Sequence, residues 1–367
     1  MQDVDMGALA SQVLWASFAL SVAFGAIAQR THFCTMGAVA DIVNMGDWSR
    51  MRMWVLAIGT AMIGFNAMVA LGWLDAGKSL YAAPRMIWLS NALGGVLFGF
   101  GMVLASGCGS KTLVRIGAGN LKSVVVFVVL GVAAFATLRG ITGVLRVATV
   151  DRVALDWGRP QDLPTLLGLG QPMAALLLGG VIGGALVLWA LLRAEGRSRD
   201  VLMGGLGIGA VIAAMWWVSG RLGHVAEDPN TLQEAFVATN SQRMEALSFV
   251  APIAYTIDWL IFFSDKSKVL TIGIVTTVGV VVGSALVALA TRTFRWEGFA
   301  NAEDTANHIV GATLMGVGGV TAMGCTVGQG LSGVSTLALG SFIALAGIIG
   351  GAVLALRYQV WRLDRMA

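Results

Sequence analysis

Stretches of about twenty apolar residues recur along the whole chain, and that is the length an α-helix needs to cross a bilayer. Apolar residues make up 57% of the 367 and charged residues only 12%, about half the usual share. Mean hydropathy is +0.79. So little polar surface cannot coat two soluble domains of this combined length. The chain therefore reads as an all-α, polytopic membrane protein with a single membrane domain over 1–367. Disordered, collagen-like, disulfide-rich secreted and nucleic-acid-binding classes are excluded. The net charge of +4 fits basic loops at a membrane surface. The opening MQDVDMGALA is acidic and lacks the basic start of a cleaved signal, so the first span is expected to be retained.

Apolar runs bounded by charge predict helices near 7–28, 53–74, 86–106, 121–138, 172–192, 201–218, 269–290, 309–326 and 336–356. Nine crossings place the termini on opposite sides. With the N-terminus outside, the inner segments 29–52, 107–122, 193–200, 291–308 and 357–367 hold 14 of the 24 Lys and Arg, in the sense of the positive-inside rule. The stretch EALSFVAPIAYTIDWLIFF (245–263) carries Pro252 and Asp258 and reads as a re-entrant or interfacial segment. Asp41, Asn44 and Asp47 read as part of a solvated loop.

An internal repeat organises these spans. LFGFGMVLASGCGSK (97–111) aligns with LMGVGGVTAMGCTVG (314–328) at a constant offset of 217, placing Gly107 and Cys108 on Gly324 and Cys325. The same offset carries 53–74 onto 270–291 and 121–138 onto 338–355. Two halves, 1–140 and 200–367, are thus joined by one linking span at 172–192. An odd linker inverts the second half, and inverted repeats with a midplane binding site are a transporter signature. A weaker echo, FGAIAQRTHFCTMG (24–37), sets Gly25 nine residues before Cys34, as Gly99 stands nine before Cys108. GLGIGAVIAAMWWVSG (205–220) has the glycines without a cysteine.

All three cysteines therefore fall in one kind of segment, and they match neither a zinc site nor a redox pair. Metal ligation is not indicated, since the spans lack clustered carboxylates, and the three histidines are scattered. The glycines have two readings: close helix packing, or a broken helix whose freed N–H groups face an anion. The density of Gly94, Gly95, Gly99, Gly101, Gly107 and Gly109 favours short re-entrant helices near both Gly-Cys pairs. Ser110 is then expected to cap a short helix through Lys111 and Arg115, whose spacing from Cys108 puts all three on one face. Lys111 reads either as a snorkelling side chain or as a functional cation. Thiols spaced along an apolar path suit a soft, sulfur-ended anion, because a thiol is a weak donor and a weak acceptor. Loose, multi-site binding is what conduction requires.

These residues resemble a known family. RTHFCTMGAVADI (30–42), LASGCGSKTLVRIGAGNL (104–121) and AMGCTVGQGLSGVSTLALGSFIAL (322–345) are similar to the YeeE/YedE sulfur-transport proteins, with GCTVGQGLSG the most specific element. The resemblance implies a multi-pass transporter of the bacterial inner membrane for thiosulfate or a related sulfur compound. It also implies that Cys34, Cys108 and Cys325 line the path, with Cys108 nearest the centre. No cofactor is expected, and a soluble sulfur-carrier protein is a candidate partner to receive the ion. Gly107, Gly109 and Gly324 are expected to allow close backbone approach. Two positions depart from the family pattern: Ser106, where a second glycine is common, and Lys111. A membrane-embedded sulfurtransferase or thiol oxidoreductase is the alternative the thiols allow, lacking an evident general base. A sulfur sensor without flux is another.

Overall fold

The computed structural model describes residues 5–169, 172–229 and 231–366. The expected acidic start at 1–4 lies outside them. Helix α1 (Met6–Arg30) begins where the Asp5 carboxylate accepts the N–H groups of Gly7 and Ala8. After a break come α2 (Thr35–Met45) and α3 (Ser49–Ala70). A long connection leads to α4 (Trp88–Leu104), a second break to α5 (Gly109–Gly117), and then α6 (Leu121–Arg139) starts on an Asn120 cap. The short α7 (Ile141–Ala148) and α8 (Leu163–Leu166) precede α9 (Pro172–Leu191). Helix α10 (Arg199–Trp217) runs into a π-helical turn, Val218–Leu222. The chain ends with α11 (Ala251–Ile261), α12 (Ile272–Ala290), α13 (Ala302–Thr321), a π-helical turn at Gly328–Gly333, and α14 (Leu339–Met366).

Among the described residues, eight helical stretches are long and apolar enough to cross a membrane. Helix α13 is as long as they are, 20 residues, but its first two turns carry Glu303, Asp304 and His308. The segment expected to re-enter is represented by α11, whose eleven residues are too short to span. The expected spans at 86–106 and 309–326 end early, at Leu104 and Thr321, so neither Cys108 nor Cys325 is inside a long helix.

Two faces are tied separately. On one, carrying the segments rich in Lys and Arg, Leu121 N–H donates to Glu297 and Arg295 N–H to Ala118, while Lys122 pairs with Asp304 at 2.9 Å. We refer to it as the basic face. On the opposite face, Leu80 N–H donates to Met244, Leu163 to Leu337, and Ile272 to Ala238. That face also carries two small hairpins, Arg85–Met86 with Leu155–Asp156 and His224–Val225 with Ala235–Phe236.

Glycine sets the distances between helices. A Cβ on Gly99 would lie 2.0 Å from the Ile348 carbonyl oxygen, and one on Gly351 2.2 Å from that of Val96, so α4 and α14 touch backbone to backbone. Gly94 faces Ala322 N and Gly101 faces the Gly311 carbonyl, so α4 and α13 run antiparallel. These two helices are the ones related by the sequence offset. Close packing is thus the role of most of the glycines in this run.

Gly99→Val is expected to force α4 from α14 and to cost about 2–3 kcal/mol by overpacking. It should read as a clear fall in the melting temperature of the detergent-solubilised protein. Gly350→Ala, with nothing within 4 Å, should not lower the melt and is expected to raise it slightly, since alanine is the better helix former.

Candidate functional site

Each thiol follows the same local event. Helix α1 closes with Phe33 N–H donating to the Ala28 carbonyl, α4 with Gly107 to Met102, and α13 with Gly324 to Gly319. This is the six-to-one bond of a Schellman ending, and it needs a left-handed residue just before the donor. His32 (φ 53°), Ser106 (φ 56°) and Met323 (φ 58°) hold those positions, and a cysteine comes two residues after each. Cys34 and Cys108 then stand as N-caps of α2 and α5. The expected Ser110 cap is corrected: Cys108 occupies the cap position and Ser110 is inside the helix, its hydroxyl 3.3 Å from the Cys108 sulfur. Ser106 sits where glycine is free of strain, which gives the departure from the family pattern a measurable backbone cost.

The three loops converge. Cys34 is 8% exposed, Cys108 1% and Cys325 0%. Cys108 lies within electrostatic reach of both Cys34 and Cys325. The Phe249 peptide is wedged between the second and third loops: its carbonyl oxygen would meet a Cβ on Gly109 at 2.7 Å, and its N–H turns to the Cys325 sulfur. Gly328 N–H also donates to that sulfur at 3.3 Å, and Gly37 N–H to the Cys34 sulfur at 3.3 Å. Gly109 thus lies against the Phe249 backbone, Gly324 against both the side chain and the backbone N of Gln329, and Gly107 against the Lys111 side chain. Several buried polar atoms beside the Cys325 loop have no hydrogen-bond partner: Thr326 Oγ1, Gln329 Oε1, Ser341 Oγ and Trp54 Nε1. Orphaned groups of this kind ask for water or a ligand.

Electrostatics differ at the two ends. Toward the basic face, Lys111 and Arg115 fold over Gly107, and Lys111 lies within electrostatic reach of Cys34 and Cys108. Among the described residues neither cation is paired with a carboxylate. Asp41 was expected in a solvated loop. It is instead 4% exposed in α2 and pairs with Arg50 at 2.7 Å, which holds α2 to the start of α3. Asn44 and Asp47 are exposed, as expected.

From the opposite face a cavity of about 230 Å³ leads down to Met323 and Gly324, next to Cys325. Tyr81, Tyr255, Arg146, Ser241 and Glu245 line it. Tyr81 stands over Gly328 and within electrostatic reach of both Cys325 and Glu245. Burial pushes the Glu245 carboxyl up to about 7, against the pull of the Ser241 hydroxyl and the Asn240 N–H that donate to it. Tyr81, Glu245, Phe249 and Gln329 are the residues that sequence reasoning missed. Gln329 had a signal as part of GCTVGQGLSG, and Glu245 and Phe249 lay in the segment 245–263 expected to re-enter, whereas Tyr81 had none.

The family described as sulphur transport matches residues 30–354. The thiosulfate transporter TsuA of Escherichia coli is 26% identical over 337 residues, covering 89% of each chain. TsuA of Spirochaeta thermophila is 26% identical over 344 residues, 90% of this chain and 94% of its own. The probable transporter YedE of Salmonella typhimurium is 32% identical over 96 residues, 26% of this chain and 22% of its own.

The left-handed positions are open to direct test. Ser106→Gly and Met323→Gly are expected to raise the melting temperature, relieving about 1 kcal/mol each, whereas Ser106→Val and Met323→Val should lower it.

Proposed function

This chain belongs to the sulphur transport family, and on that premise we propose that it carries thiosulfate or a related sulfur-containing anion across the bacterial inner membrane, along a path lined by Cys325, Cys108 and Cys34. The observation that carries this reading is the convergence of three identically built helix breaks, each presenting a buried thiol, with Cys108 neighbouring both others. The names of the full-length relatives point to the same substrate class. Two inverted halves, 1–140 and 200–367, joined by the span at 172–192, bring the second and third breaks together from opposite faces.

The chemistry follows from what a neutral thiol can do. It donates weakly through S–H and accepts weakly through sulfur, so a soft terminal sulfur is held at each station without being trapped. First-turn N–H groups of α2 and α5 have no preceding turn to bond to and face the oxyanion end of the substrate. Lys111 and Arg115, unpaired with any described carboxylate, supply counter-charge at the last station. Gly107 leaves room for both cations over the loop. The positive-inside rule makes the basic face cytoplasmic. The cavity beside Cys325 then opens outward, Cys325 receives the anion first, Cys108 relays it, and Cys34 lies on the inner side. The proposed reaction is translocation, with no bond made or broken at the sulfur atoms.

Labelled-thiosulfate uptake in bacteria without their own importers tests this. Cys108→Ala is expected to abolish uptake at equal membrane expression; undiminished uptake would leave Cys108 a packing residue. Lys111→Ala is expected to weaken uptake at low substrate about tenfold, the worth of one charge-assisted hydrogen bond, with Lys111→Arg restoring most of it.

A further inference from the structure

The cavity that opens on the face opposite the basic one is an odd antechamber for an anion, because a carboxyl group projects into it. Glu245 is held by its neighbours on two sides. Its backbone N–H donates to Ser219 Oγ at 3.0 Å, and Ser241 Oγ donates to Oε2 at 2.9 Å. The Asn240 N–H also donates to its carboxyl, and Glu245 lines the cavity together with Tyr81, Tyr255 and Arg146. Each element around it contributes a titratable or charged group. The connection before α4 brings Tyr81, α11 brings Tyr255, and α7 brings Arg146. Arg146 is engaged by Asp151 at 3.4 Å, and Arg139 acts on Tyr255. Among the described residues no lysine, arginine or histidine forms an ion pair with Glu245. Arg243, two residues back, reaches toward the Ser79 carbonyl at 3.5 Å.

We propose that Glu245 is a protonation-controlled gate residue of the outer antechamber: with its proton on, it donates a hydrogen bond to the incoming anion, and with its proton off, its charge closes the cavity to anions. This deepens the transport reading above and rests on it. The charge argument is direct. An ionised carboxylate in this cavity, with no described cation paired to it and the nearby Arg146 engaged by Asp151, repels an anion on its way to Cys325. The protonated form reverses the contact, since a carboxylic acid has an O–H to offer and the anion's oxygens accept it. Burial holds the group near neutral pH, where either state is accessible. Tyr81, between Glu245 and Cys325, stays protonated because burial pushes its phenol up, and so it offers a second O–H to the same anion. A raised carboxyl pKa means that the open form is populated below the midpoint and lost as the pH rises through it.

Uptake of labelled thiosulfate by proteoliposomes of the whole chain, measured across external pH, tests the gate. With a midpoint near 7 the neutral fraction changes about tenfold between pH 6 and pH 8. Native uptake at low substrate is expected to fall by that factor, as a rise in KM with kcat little changed. Glu245→Gln, which keeps the size and a donor but cannot ionise, is expected to show a flat profile at the level of the native protein at pH 6. A merely structural Glu245 would not move the pH profile in this way. Native uptake that is flat across this range, or a slope that survives in Glu245→Gln and so belongs to another group such as His224, overturns the gate and leaves the transport reading standing. Absence of native thiosulfate uptake at every pH overturns the transport reading and the gate with it. Should Glu245→Gln fail to fold, infrared titration of the native protein decides. A protonated carboxyl band lost with a midpoint near 7 supports the gate, and no such band overturns it.

Discussion

A backbone that leaves the helical ladder inside an apolar slab must find a partner for every N–H and C=O it frees, and the thiol loops are organised around that requirement. At each break the carbonyls at the end of the long helix are taken up by the six-to-one bond, and a left-handed residue turns the chain sharply enough to present a cysteine at once. The freed segments are then buried in protein. Ser332 Oγ donates to the Leu247 carbonyl, and Asn66 Nδ2 to that of Ser335, whose own hydroxyl accepts the Trp216 indole N–H at 3.1 Å. Irregular backbone is therefore enclosed by regular helices, and it is the irregular part that carries chemistry.

That enclosure depends on how near the helices come. Where α4 meets α13 and α14, the glycines leave carbonyl oxygens where side chains would otherwise stand. Phe249, from the connection before α11, fills the gap between the Cys108 and Cys325 loops. The left-handed Ser106 and Met323 each cost about 1–2 kcal/mol relative to an unstrained residue. Their persistence is explained by the packing on both sides, which leaves the chain no other way to turn.

Charge is distributed with the same economy. Most ion pairs join segments at the faces, such as Lys122 with Asp304 and Arg362 with Glu303, and stitch the ends of helices together. Asp41 and Arg50 are the exception that matters to the site. By neutralising each other they fix α2, and with it Cys34, without adding net charge near the thiol. Lys111 and Arg115 stand near the thiols with no carboxylate paired to them among the described residues. Toward the other face, Glu245 lines the cavity with Arg146, which Asp151 engages.

The sequence by itself determined the membrane class, the positions of most long helices to within a few residues, though α13 starts seven residues early and α14 runs ten further, the offset of 217 and the coincidence of all three thiols with one kind of segment. These are readable because hydrophobic length and repeat spacing are local properties of the chain. The break near Cys108 was legible from glycine density, whereas its cap was misassigned to Ser110, because a left-handed turn at a serine leaves no compositional trace. Only the tertiary structure decided that Asp41 is buried, that Phe249 separates two thiol loops, and that Tyr81 and Glu245 line the approach to Cys325. Each of those facts joins residues far apart in the chain, and their partners are chosen by helix packing, which no local pattern encodes.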